Sequence, residues 1–175
     1  MVLIQLTGLS GAGKTTLANK IGEELNKTEL RTVIIDGDVY RKTLCKDLGY
    51  SYTDRIENIR RLGKAGYNHV LKGDIVIISA INPFEKIRRE LQSLYGAKTI
   101  WIDCELEVLK KRDTKGLYKR AMLPVGHPEK LANLTGVNDR FEEPLYADLR
   151  INTDKESIEN SVIRMINYIK NIINN

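Results

Sequence analysis

One octapeptide limits what this chain can fold into more than any other feature. Gly8-Leu9-Ser10-Gly11-Ala12-Gly13-Lys14-Thr15 follows a short apolar run, Val2 to Thr7. It then opens a helical pattern, Thr15 to Leu25, in which Leu17, Ile21 and Leu25 recur at helical spacing. A strand that turns into a helix through glycines makes a cradle for phosphate. The glycines allow a tight turn in which successive N–H groups converge on phosphate oxygens, and the helix N-terminus adds partial positive charge. In such a loop the lysine, Lys14, reaches the β- and γ-phosphates, and the Thr15 hydroxyl ligates Mg²⁺. Gly8, Ser10, Gly11, Ala12, Gly13, Lys14 and Thr15 are therefore expected to hold a nucleoside triphosphate. The loop alone does not distinguish a kinase from a GTPase or a motor.

The remaining pattern agrees with an α/β architecture. Arg31 to Asp36, Asp74 to Ala80, Lys98 to Asp103 and Leu149 to Thr153 read as further strands, rich in β-branched residues. The first four strands are nearly continuously apolar, as expected for parallel strands covered on both faces. Helical patterns lie between them, at Asp54 to Lys72, Phe84 to Leu94 and Glu105 to Arg112, and a last helix from Lys155 aligns Ile158, Val162, Met165, Ile169 and Ile173. This alternation predicts a three-layer domain with right-handed crossovers. At 175 residues, one domain over 1–175 is expected. The irregular stretch Ala121 to Pro144 holds three of the four prolines and has the length of a functional lid, so a lid is assigned to about 113–144.

After the second strand comes Asp36-Gly37-Asp38-Val39-Tyr40-Arg41. Carboxylates at a strand's C-terminal end lie where ligands collect in an open α/β sheet. One could orient Mg²⁺ through water, and the other could accept a proton from an attacking hydroxyl; Asp38 as a plain helix N-cap is the structural alternative. Further on, Arg55, Asn58 and Arg61 recur at three-residue spacing along one flank of a helix. They could hold an anionic acceptor or simply face solvent.

The sequence resembles the adenylylsulfate (APS) kinases, which phosphorylate the ribose 3′-hydroxyl of adenosine 5′-phosphosulfate with MgATP in sulfate assimilation. GLSGAGKTT (8–16), DGDVYR (36–41), LGYS (48–51), DRIENIRR (54–61), KRDTKGLYKR (111–120) and, more weakly, LTGVNDRFEEP (134–144) carry the likeness, in family order. The resemblance implies a three-layer P-loop NTPase fold with a five-stranded parallel sheet flanked by helices, often dimeric, so a homodimer is expected. It places ATP phosphates and Mg²⁺ on Gly11, Gly13, Lys14, Thr15 and Thr16. It makes Asp38 the catalytic base beside Lys14, and gives Asp36 the metal's water shell. Arg41, Arg55 and Asn58 would grip the acceptor, and Tyr50 would stack on its base. Arg112 would line the ATP adenine, while Lys115 and Lys119 belong to the lid.

Departures from the family gather on the acceptor side. Leu134-Thr135-Gly136-Val137 stands where relatives carry Phe-Thr-Gly-Ile, so one aromatic face of the acceptor-base sandwich is missing, a partner worth about 1–3 kcal/mol. Asn82-Pro83 replaces Ser-Pro, the lid reads Lys119-Arg120-Ala121-Met122 in place of Lys-Ala-Arg, and LPVGHPEKLAN lengthens it. Such a pattern would follow from a changed acceptor. Cytidine diphosphoramidate kinase, a relative from capsule phosphoramidate biosynthesis, acts on a cytidine nucleotide, and a pyrimidine would tolerate Leu134. APS ranks first and the cytidine nucleotide second.

Other classes fit less well. The net charge of +5 could suit nucleic acid, but aromatics are sparse at 6% and no nucleic-acid motif is present. A GTPase would show N-K-x-D, and Asn26-Lys27 lacks the Asp. An inactive nucleotide-binding regulatory module is opposed by intact Lys14, Thr15 and Asp38. No apolar run reaches membrane-span length, and the N-terminus lacks the basic region of a signal peptide. With only Cys45 and Cys104, a reduced cytoplasmic protein is expected. His69 and His127 have no metal-ligand company, and Trp101 reads as core.

Overall fold

The computed structural model describes residues 1–174; Asn175, the last residue of the expected domain, lies outside the described residues. Five strands, β1 (Leu3–Thr7), β2 (Thr32–Asp36), β3 (Ile75–Ser79), β4 (Lys98–Asp103) and β5 (Leu149–Asn152), form one sheet in the order β2-β3-β1-β4-β5. Every pairing is parallel. Successive side chains leave a strand on opposite faces, so each inner strand feeds two cores. Ile4, Leu6, Ile75, Ile77, Ile100 and Ile102 pack with α1 (Lys14–Asn26) and α7 (Ile158–Asn174) on one side. Leu3, Ile35, Val76 and Ile78 pack with α3 (Tyr52–Val70) and α4 (Glu85–Tyr95) on the other. The expected α/β three-layer fold is present, and its strands sit within a residue of the expected bounds.

Differences appear where local chemistry decides. The expected helix at 54–72 starts at Tyr52, because the Ser51 hydroxyl accepts from the Asp54 N–H and caps it. The last helix starts at Ile158, not Lys155, and Ile158 is exposed at its overhanging first turn. Short helices α2 (Gly37–Tyr40), α5 (Leu106–Arg112) and α6 (Leu117–Ala121) complete the element order. The cap of α2 is Asp36, whose Oδ1 accepts from the Asp38 and Val39 N–H groups, so Asp38 is left inside the first turn and is not the cap.

The connection after β1 runs through α1 on one face, and that after β3 runs through α4 on the opposite face. A crevice therefore opens between the C-terminal ends of β1 and β3, the place where this architecture collects ligands. Behind it lies a buried polar knot. Gln5 Nε2 donates to the Arg88 carbonyl and to Thr99 Oγ1, and Asn82 Nδ2 donates to Gln5 Oε1. The Arg88 guanidinium is 2% exposed and donates to Glu85 Oε2, the Asn82 carbonyl and the Glu142 carbonyl. It thereby ties the segment after β3 to the end of the lid. Removing one partner of a buried charge strands the other. Arg88→Ala should cost about 3 kcal/mol in urea-induced unfolding; a loss within error would show that the knot is dispensable.

Candidate active site

The loop at 8–15 wraps the N-terminus of α1. Gly11 and Gly13 hold left-handed backbone (φ +78° and +98°), which other residues adopt at a cost, and Gly13 is the N-cap. Lys14 is 8% exposed, and its Nζ donates to the Gly8 carbonyl (2.9 Å) and the Leu9 carbonyl (2.7 Å). Burial lowers its pKa to about 8; the neighbouring Lys115 charge pushes the same way, and Asp38 and Asp36 oppose it. The ammonium is held in a pocket that a ligand's negative charge would relieve.

Three oxygens meet beside it. Thr15 Oγ1 donates to Asp36 Oδ2 at 2.8 Å and lies 3.1 Å from Ser79 Oγ at the end of β3. Asp38 Oδ2 accepts from Lys115 Nζ at 2.6 Å, so the lid reaches the base candidate across the crevice. Both side chains are exposed.

Among the residues expected to hold the acceptor, Arg55 is almost fully enclosed. It donates to the Tyr50 carbonyl, Thr135 Oγ1 (2.9 Å) and the Asn133 carbonyl (2.6 Å), and pairs with Asp139 at 3.0 Å. Burial pulls its pKa below the ordinary arginine value and the Asp139 carboxylate pushes back. The Arg41 guanidinium lies 4.4 Å above the Tyr50 ring and donates to the Gly49 carbonyl. Asn58 lies one turn beyond Arg55 on α3, and its Oδ1 is buried with no hydrogen-bond partner among the described residues.

These parts border one cavity of about 570 Å³. Of the expected residues, Ser10, Gly11, Gly13, Lys14, Thr15, Thr16, Asp36, Asp38, Tyr50, Arg55, Lys115, Leu134 and Thr135 line it. Others stand back from it. Gly8 anchors the loop by donating to the Ile81 carbonyl, Ala12 is core, and Gly136 (φ +86°) packs against Leu9. Arg41 and Asn58 flank it, Arg112 is bonded to the Thr153 carbonyl at 3.1 Å, and the Lys119 side chain points to solvent. Ser79, Ala80, Ile81, Thr114, Leu117, Arg120, Leu131 and Asn133 line it without having been expected. Ser79 was findable as the last residue of a strand beside the phosphate loop. Leu131 and Asn133 belong to the irregular part of the lid, where no periodicity marks them, and Arg120 sits in α6, too short a helix to show one. His69 pairs with Asp74 and His127 accepts from the Glu129 N–H, both in structural roles. Trp101 is core, as expected.

The family model for adenylylsulphate kinase matches residues 1–152. The chain belongs to the adenylylsulphate kinase family. Adenylyl-sulfate kinase from Bacillus pumilus is 40% identical over 171 residues, covering 96% of this chain and 84% of that one. Its counterpart from Picosynechococcus is 38% identical, covering 94% and 91%. The Mycobacterium tuberculosis APS kinase in complex with AMPPNP and APS superposes with a TM-score of 0.88 at 30% identity, covering 97% of each chain. The family match ends with β5, so α7 of this adenylylsulphate kinase relative, which closes one core, lies beyond it.

The low pKa of Lys14 has a measurable consequence. Folded Lys14 loses its proton near pH 8, whereas the unfolded value is 10.5. Below the folded value both states hold the proton and the burial penalty is fully present. Between the two values the unfolded state binds more protons, so stability rises with pH. In urea unfolding without nucleotide, the wild type should gain stability relative to Lys14→Met between about pH 7 and pH 10. A constant or opposite difference would mean that Lys14 titrates normally.

Proposed function

We propose that this chain transfers the γ-phosphoryl group of ATP to the ribose 3′-hydroxyl of adenosine 5′-phosphosulfate, giving 3′-phosphoadenosine 5′-phosphosulfate. One observation carries the reading: the phosphate loop, a carboxylate pair and the Tyr50–Arg55–Leu134 shelf all border a single cavity. The named relatives and the APS-bound structural neighbour support this acceptor.

The donor's phosphates rest on the loop's N–H groups, Lys14 and the start of α1, with Thr16 behind. The Asp36 carboxylate and the Ser79 hydroxyl both lie within 3.1 Å of Thr15 Oγ1, and these three hard oxygen donors fit Mg²⁺, which takes few protein ligands and completes its shell with phosphate and water. Thr15 would hold the ion directly and Asp36 through water. When bound, it neutralises charge on the β- and γ-phosphates. Asp38 takes the proton from the 3′-hydroxyl as that oxygen bonds to the γ-phosphorus and the bond to ADP breaks. For this, Lys115 has to leave Asp38, and the triphosphate offers it a stronger anionic partner. Tyr50 and Leu134 bound the acceptor base, while Arg55, Arg41 and Asn58 shape its phosphosulfate and sugar end. Arg112 closes the adenine side of ATP, and Lys119 and Gly136 belong to the lid frame. A cytoplasmic location and a homodimer are part of the same proposal. No helix among the described residues is long and apolar enough to cross a membrane.

An ADP-release assay decides the acceptor. ADP should appear with APS and not with nucleoside monophosphates. Turnover with cytidine diphosphoramidate alone would reassign the acceptor, and turnover with none, while ATP binds, would end the proposal. In a separate test, Asp38→Asn should bind AMPPNP as the wild type does while kcat falls by about 10²–10⁴-fold. Unchanged kcat would remove Asp38 from the proton transfer.

A further inference from the structure

A phosphate cradle needs its amide N–H groups aimed inward, and a backbone cannot aim them without placing the neighbouring carbonyls outward. All peptides among the described residues are trans, so each C=O points opposite to the N–H of the next residue. Whatever holds the Ser10 carbonyl outward therefore turns the Gly11 N–H inward. Whatever holds the Ala12 carbonyl outward does the same for Gly13. Neither of these two amides donates to a protein acceptor among the described residues, and both glycines line the cavity. They are left for a ligand.

Two side chains from remote parts of the chain grip those two carbonyls. Tyr118, on α6, donates its hydroxyl to the Ser10 carbonyl at 2.7 Å, across 108 residues of sequence. The ring is 3% exposed, and burial raises the phenol to about 12, so it stays a donor throughout the working pH range. Thr153, just after β5, donates to the Ala12 carbonyl at 3.0 Å, across 141 residues, sharing its proton with the Asp103 carbonyl at 3.2 Å. Tyr118 is buried and Thr153 half-buried, and neither lines the cavity.

We infer that Tyr118 and Thr153 are positioning residues of the phosphate cradle, each orienting one peptide so that the Gly11 and Gly13 amides face the donor's phosphates. Neither side chain lines the cavity; each acts through the carbonyl it holds. Tyr118 also joins the lid helix to the loop, so the lid's seating and the aim of Gly11 are one mechanical unit. Both claims rest on the nucleotide reading above.

The test uses the full chain, with AMPPNP as probe and amide spectra of ¹⁵N-labelled protein. AMPPNP failing to bind the wild type would overturn the nucleotide reading itself. Given wild-type binding, Tyr118→Phe and Thr153→Val should each weaken AMPPNP affinity and raise the KM for ATP by about fivefold, the worth of one hydrogen bond, with kcat little changed. In the spectra, Tyr118→Phe should move the Gly11 amide and spare Gly13, and Thr153→Val should do the reverse. Thr153→Ser, which keeps the hydroxyl, should restore affinity. Unchanged affinity overturns the inference, as does a loss accompanied by equal movement of both amides or one that Thr153→Ser fails to repair. If Thr153→Val does not fold, the serine variant and the Tyr118→Phe spectrum decide alone.

Discussion

Burying one ammonium without a full counter-charge is the constraint around which this molecule is organised. Desolvating a lysine is costly, and the usual outcome is a partner carboxylate or a lost proton. Lys14 has two backbone carbonyls in direct contact, and the carboxylates of Asp36 and Asp38 act on it only from a distance. The site is thus left short of negative charge. Asp36 is occupied with capping α2 and meeting Thr15, and Asp38 is drawn toward Lys115. A ligand rich in phosphate completes this balance, whereas an internal carboxylate in contact with Lys14 would have competed with it.

The same economy governs the lid. Arg55 is spent on holding residues 133–139 to α3, with four protein acceptors around one guanidinium. A surface ion pair would contribute little, but an enclosed fork bonded to carbonyls fixes position. Leu134 is packed into the core by this clamp, yet still reaches the cavity. Its identity therefore bears on the shape of the cavity without being free to move away from it.

Legibility in the sequence followed the range of the forces involved. The buried parallel strands were readable to within a residue, because a strand covered on both faces must be apolar throughout, as in Ile75–Ser79. The phosphate loop was readable because glycines and a lysine at fixed spacing leave few alternatives. Helix α6 was not, since five residues make too little of a helical period to stand out. Capping by Asp36 in place of Asp38 turned on which of two adjacent carboxylates met the free N–H groups, a matter of one peptide's direction. The roles of Tyr118, Thr153 and Arg120 could not be read, although their positions were, because those roles lie in partners or a cavity that only the folded chain brings near.

The long excursion in the lid is fastened at its own neck. Lys130 Nζ donates to the Ala121 and Leu123 carbonyls, the Leu131 N–H to the Arg120 carbonyl, and Arg120 Nε to the Glu129 carbonyl. The outermost part, with Val125 93% exposed, hangs from this closed base. A loop tied off in this way can lengthen, shorten or exchange its tip at small entropic cost, because its two ends are already brought together. Sequence change can accumulate there while Leu134 and Thr135 stay in place. The lid's tip is a natural graft point, where a tag or a recognition peptide could be carried without disturbing the chemistry beneath.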